Sequence, residues 1–175
     1  MGRSGQVWVE TVIYTLIGLA LIGLVLAILT PKIKEFKDRS VIEQTIESLN
    51  VFDSKIVEVL DASGNKRKVN FRLDKGTIIV EPLNDKIKYV LEESNVRYSE
   101  PSVPISIGRI EILTEKMNEK YKINLSLSYV YNITYDGSDI EEGKFNPVSI
   151  PYKFFIENRG RVNNKEWIDI TEGGG

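Results

Sequence analysis

Residues 11–29 read TVIYTLIGLALIGLVLAIL, without one formally charged side chain. As an α-helix this stretch rises roughly 28 Å, about the thickness of a bilayer's hydrocarbon core. Each large apolar side chain favours burial by roughly 1.5–3 kcal/mol, so the preference of the segment for lipid, or for other apolar helices, is on the order of tens of kcal/mol. The remainder of the chain is therefore read as a domain carried on an anchor. Within the anchor, Gly18, Ala20, Gly23 and Ala27 are small, and Gly23 and Ala27 stand in the small-xxx-small relation that lets helix backbones approach.

Pro31 ends the all-apolar run and removes the N–H that would bond to the Ala27 carbonyl, which predicts a kink rather than a stop. Beyond it, Ile33, Phe36, Ile42, Ile46, Leu49, Phe52, Ile56, Val59 and Leu60 keep to helical steps of three and four, with one slip between Phe36 and Ile42. Asp61-Ala62-Ser63-Gly64-Asn65 closes the segment with turn chemistry and a glycine suited to a C-terminal cap. One long helix is thus predicted from about Gln6 to Leu60, apolar all round in its lower part and amphipathic above.

After Gly64 the hydrophobic period changes to two. Val69, Phe71 and Leu73 form a strand, Lys75-Gly76 a turn, and Thr77–Val80 its expected hairpin partner; Ile87, Tyr89 and Leu91 repeat the alternation. Ile105, Ile107, Ile110 and Ile112 are read as one strand whose phase slips at a bulge on Gly108-Arg109. YKINLSLSYVYNITY, residues 121–135, reads as one long strand with Tyr121, Ile123, Leu125, Leu127, Tyr129, Tyr131, Ile133 and Tyr135 on a single face. Val148 to Ile156 supplies another, placed by Pro151 at a sheet edge or at its own start, and Trp167, Ile168 and Ile170 a short last one. The expected fold class is α+β: a long N-terminal hydrophobic helix continuing into an amphipathic helix packed on an antiparallel β-sandwich or meander. The divisions are a leader at 1–5, a hydrophobic helix at 6–30, an amphipathic helix at 31–63, a β domain at 64–172 and a flexible tail at 173–175.

Composition narrows the function. The 175 residues accommodate the anchor and one domain of ordinary size. Only Arg3 and Glu10 are charged before Pro31, and a net charge of −2 indicates no nucleic-acid partner. With no Cys and no His there is no thiolate chemistry, and the commonest proton shuttle and metal ligand is missing, so no catalytic, cofactor or metal residue is assigned and the chain is not expected to be an enzyme.

The N-terminus carries the sharpest signal. MGRSG is short and basic, Gly5-Gln6 is followed by Glu10, and the apolar run begins at once. This arrangement resembles the class III signal peptide of type IV pilins and archaeal pilin-like proteins, over roughly the first thirty residues. The resemblance implies cleavage after Gly5 by a prepilin peptidase, Gln6 as the new first residue, and Glu10 as its fifth. It also implies assembly with copies of itself or other pilins through Gln6, Glu10, Gly18, Gly23, Ala27 and Pro31, with no cofactor. The physics agrees: a carboxylate in a lone span costs about 2.5–3.5 kcal/mol on insertion scales, and the freed ammonium of Gln6, on its own or a neighbouring chain, would offset it. The function implied is a structural subunit of a surface filament, a minor or initiating pilin. The runner-up is a single-span envelope anchor with an extracytoplasmic β-sandwich that binds a partner, like the stator proteins of the archaellum.

Weaker signals surround these. Asp136-Gly-Ser-Asp-Ile-Glu-Glu-Gly143 gathers four carboxylates but does not fit an EF-hand loop and reads as a solvated hairpin tip. Asn65-Lys-Arg-Lys68 reads as an exposed turn, and the tyrosines of the long strand as core rather than as a sugar platform. Asn124-Leu-Ser and Asn132-Ile-Thr are N-glycosylation acceptors, both expected on the polar face of the long strand. They place the domain outside the cell, whereas Lys32, Lys34, Lys37 and Arg39 against a lone Arg3 place it inside by the positive-inside count. Since both leading readings require an external domain, protease added to intact cells is expected to remove everything beyond Gly64; protection until lysis would exclude both.

Overall fold

The computed structural model describes residues 3–173, with side chains from Trp8 onward. A helix, α1, spans Arg3–Val59 and contains Pro31. The proline does not end it, and the Ala27 carbonyl is left without its i+4 donor. The chain divides into two compact units, Met1–Lys37 and Asp38–Gly175. Candidate residues Gly5 and Gln6 fall within the backbone span of α1, but their side chains lie outside what is described, and Met1, Gly2 and the last two glycines of the tail lie outside the described residues altogether.

Among the described residues the second unit contains the C-terminal part of α1 and ten strands: β1 Lys66–Phe71, β2 Thr77–Glu81, β3 Lys86–Ser94, β4 Ile105–Ile107, β5 Ile110–Met117, β6 Lys120–Ser128, β7 Asn132–Tyr135, β8 Gly143–Phe145, β9 Tyr152–Val162 and β10 Lys165–Glu172. They form a four-stranded sheet ordered β1-β9-β10-β7 and a six-stranded sheet ordered β4-β5-β6-β3-β2-β8. Ladders are antiparallel except β7 on β10, where Ile133 pairs with Ile168 in parallel. The α+β class with a long N-terminal helix and antiparallel sheets is what the period change at Gly64 predicts.

One face of the six-stranded sheet is buried, through Ile78 and Val80, Ile87, Tyr89 and Leu91, Ile110 and Ile112, and Ile123, Leu125 and Leu127. Ile42, Ile46, Leu49, Phe52, Ile56 and Val59 of α1, all buried, and Val69, Phe154, Ile156, Ile168 and Ile170 of the smaller sheet belong to the same core. Helix and small sheet together therefore form the layer that covers the large sheet. Phe154 of β9 ties the layers together: its ring meets Phe52 of α1 at 5.7 Å and Phe71 of β1 at 6.4 Å within its own layer, and Phe145 of β8 in the large sheet at 4.8 Å, each edge to face.

Four local expectations are corrected. The stretch 121–135 is two strands, β6 in the large sheet and β7 in the small one, and the chain changes sheet at Tyr129–Tyr131 with Val130 turned out to solvent. Its alternation runs through to Ile133 because both strands turn that parity toward one interior, although on β7 Thr134 is buried as well. The strands flanking Lys75-Gly76 lie in different sheets and are not hairpin partners. Gly76 has φ +80°, and a Cβ there would sit 2.6 Å from the Tyr89 ring, so the turn is shaped by a close approach across the core. Gly108-Arg109 is not a bulge but the two-residue turn of the β4–β5 hairpin, with Gly108 at φ +60°. Of the two places expected for Pro151 the strand's start is the one observed, just before β9, which is interior between β1 and β10; what is corrected is the bound, since the strand begins at Tyr152 and not at Val148. Val148 and Ile150 lie outside the strand and are exposed.

Because Phe154 joins three elements, Phe154→Ala is expected to destabilise the second unit by about 3–5 kcal/mol, read as a lower denaturation midpoint by near-ultraviolet circular dichroism. A loss below 1 kcal/mol would show that the three contacts do not hold the layer together.

Candidate functional site

The first unit presents apolar surface. From Trp8 to Leu29 the large side chains of α1 are exposed, Trp8 and Tyr14 by 70% and 74%, Leu16, Leu19 and Leu24 by 60–61%. The most apolar window of the helix has a mean hydropathy of 2.8 and none of it is buried. Beside Gly18 and Gly23 there is open space where a Cβ would go, so nothing within the chain requires glycine at either position. Ala27 and Pro31 are likewise exposed. Thr15 and Thr30 donate their hydroxyls to the carbonyls of Thr11 and Leu26, at 2.9 and 2.7 Å, which satisfies their polar atoms in an apolar setting. Glu10 is on the surface and is engaged in an interaction of its own.

The second unit begins at Asp38, a buried carboxylate that sequence reading did not single out. Its Oδ1 accepts from Lys75 Nζ at 2.6 Å, and its Oδ2 from the Asn95 backbone N–H at 2.8 Å and the Asn95 amide at 2.6 Å. Lys120 in turn donates to the Asn95 side-chain oxygen. Two separate loops thus converge on one side chain of α1, and the first residue of β6 holds one of them. Burial alone would raise the carboxyl, but the Asn95 N–H, the Lys75 ammonium and the Asn95 amide outweigh it and hold Asp38 below the usual carboxylate range. A signal did exist in the sequence, for the slip between Phe36 and Ile42 spans this position. At the other end of the buried helix, Arg109 lies 3.1 Å from Asp53 with its guanidinium over the Tyr129 ring, and Asn158 donates to the Val59 carbonyl. Burial, with Asp53 close by, drives the Tyr129 hydroxyl well above the tyrosine range, so it stays neutral.

The two candidate glycosylation residues are not brought together. Asn124 lies on the solvent face of the large sheet and donates to Glu115 at 2.8 Å; Asn132 lies on β7 in the small sheet and donates to Asp139 at 2.8 Å. Thr134 of the second acceptor triplet is fully buried, donating to Asp169 and accepting from the Trp167 indole. The carboxylates Asp136, Asp139, Glu141 and Glu142 are all exposed. Tyr129 is buried, and Tyr121, Tyr131 and Tyr135 pack partly buried against the core, as the alternation predicts. Compared with known proteins, the chain matches no family model, no curated protein and no solved structure.

The pH dependence of Asp38 has a definite sign. Its folded pKa lies below the unfolded value of about 3.9, so its contribution to stability is present above about pH 4 and is lost as pH falls through the folded pKa. Asp38→Ala is expected to cost roughly 2–3 kcal/mol at pH 7 and progressively less below pH 4 in equilibrium denaturation. A deficit unchanged down to pH 2 would assign the cost to lost packing instead of charge.

Proposed function

We propose that the chain is a structural, pilin-like subunit of an archaeal type IV filament, of the minor or initiating kind, that enters the membrane as a precursor and assembles through the exposed apolar part of α1. One observation carries this reading: a stretch from Thr11 to Leu29 that is uncharged around its whole circumference, unburied, and open at both of its glycines. Such a surface is stable in lipid, and equally stable against other helices of its kind, which is the exchange that filament assembly requires. The compatibility of this helix with membrane insertion rests on length and composition. The choice of a filament over a plain anchor rests on Gly5, Gln6 and Glu10, whose spacing suits cleavage after Gly5 and a pairing of the new ammonium with a carboxylate one helical turn away.

On this reading the β domain stands outside the membrane and the machinery that drives assembly is supplied by other proteins. The partners are the membrane, a prepilin peptidase, and copies of the chain or other pilins. A single-span envelope anchor with a binding domain satisfies the same apolar surface, and it differs in one respect: it gives Glu10 nothing to do in an assembly.

Removing the charge of Glu10 therefore separates the two. In lipid the neutral side chain is more comfortable, so Glu10→Gln and Glu10→Ala are expected to insert as well as the parent, yet to fall about tenfold in the ratio of sheared extracellular protein to membrane protein, equivalent to about 1.4 kcal/mol of lost pairing. Glu10→Asp is expected between them and the parent. N-terminal sequencing of the parent should begin at Gln6. A start at Met1 or Gly2 would remove the pilin reading, whereas a start at Gln6 with an unchanged ratio would remove only the pairing role of Glu10.

A further inference from the structure

The solvent face of the six-stranded sheet carries both charges: Glu111 and Glu115 on β5, Glu81 on β2 and Glu92 on β3, against Lys86, Lys88, Lys122 and Lys144 on β3, β6 and β8. Between β8 and β3 this face is hollowed into an open trough of about 490 Å³. Ile79 and Val90, both half-buried, make its floor. The register sets Ile79 directly between Lys88 on one neighbouring strand and Lys144 on the other, and Thr77 beside Val90. At one rim the Thr77 hydroxyl donates to the Asn146 side-chain oxygen at 3.1 Å, which leaves the Asn146 amide hydrogens available.

The lysines differ in what they already hold. Lys75 is committed to Asp38, and Lys88 to Glu81 at 2.7 Å. Lys122 and Lys144, both in the lining, have no ion pair among the described residues, and Glu92 is the one acid that shares the trough with them. Two uncommitted ammonium groups beside an aliphatic floor, with a hydroxyl and an amide at the rim, suit a ligand that is flat and apolar on one face, hydroxylated at its edge and negatively charged. We propose that this trough binds acidic polysaccharide, the carboxylate-bearing sugars lying with their C–H faces on Ile79 and Val90 and their charges toward Lys122 and Lys144. Electrostatic complementarity of this exposed kind acts chiefly through the rate and specificity of association and weakens with salt. The proposal stands apart from filament assembly, since it concerns the β domain alone.

The test uses the full-length protein in detergent, with polygalacturonate as the probe and dextran of similar length as the neutral control. Binding to polygalacturonate is expected and binding to dextran is not, with affinity falling as salt is raised from 50 to 300 mM. The Lys122→Glu, Lys144→Glu double variant should lose at least tenfold in affinity, whereas Lys68→Glu on the outer face of the smaller sheet should change it less than twofold. Glu92→Gln should tighten binding, because it removes the like charge from the trough. Unfolding in the double variant is monitored by its melting temperature, and Ile79→Asp gives an independent loss through the floor. Equal losses in the Lys68 and the trough variants, no effect of Glu92→Gln, or equal binding of dextran would each overturn the proposal.

Discussion

The second unit depends on one row of side chains. Ile42, Ile46, Leu49, Phe52, Ile56 and Val59 lie on one side of α1 and fill part of the open face of the large sheet, and the four-stranded sheet covers what the helix leaves. At roughly 1.5–3 kcal/mol each, these six contribute on the order of 10 kcal/mol of burial, comparable with the whole net stability of an ordinary domain. Neither sheet is wide enough on its own to enclose the interior, so the helix is a member of the fold and not an attachment to it. Phe154, set against Phe52, Phe71 and Phe145, marks the line where the two components of the covering layer meet.

Polar contacts then decide where along α1 the sandwich sits. A greasy row can slide by a turn at modest cost, because apolar contact is non-directional. Asp38 and Asp53 remove that freedom: one is met by Lys75 and Asn95, the other by Arg109, and Asn158 meets the carbonyl of Val59. A shift by one turn would leave a buried carboxylate without donors, at a cost of several kcal/mol. The register of helix against sheets is thus set by directional bonds, and its strength by the apolar row.

The same helix meets two different surroundings. Its first part exposes leucine, isoleucine and valine on every side, whereas its last part buries one stripe and turns Glu43, Gln44 and Glu47 to solvent. A membrane or a bundle of like helices suits the first; the sheets occupy the second. The exposed apolar residues and the buried stripe are thus different residues of one element.

Much of this was legible in the chain itself. The uncharged run at 11–29, the helical steps from Ile42 to Val59 and the change of period at Gly64 determined the class, because burial on one side imposes 3.6-residue and two-residue periods directly on composition. The N-terminal candidates Gly5, Gln6 and Glu10 rest on residue types at a spacing alone. What only the tertiary structure decided is which strands are neighbours. Alternation reports the face a residue points to and nothing about the strand beside it, so 121–135 looked continuous across a change of sheet, and the strands around Gly76 looked paired. The roles of Asp38, Asn95 and Lys75 were hidden for the same reason. Their meeting requires loops far apart in sequence to close on one helix position, a three-dimensional coincidence that the order of residues does not record.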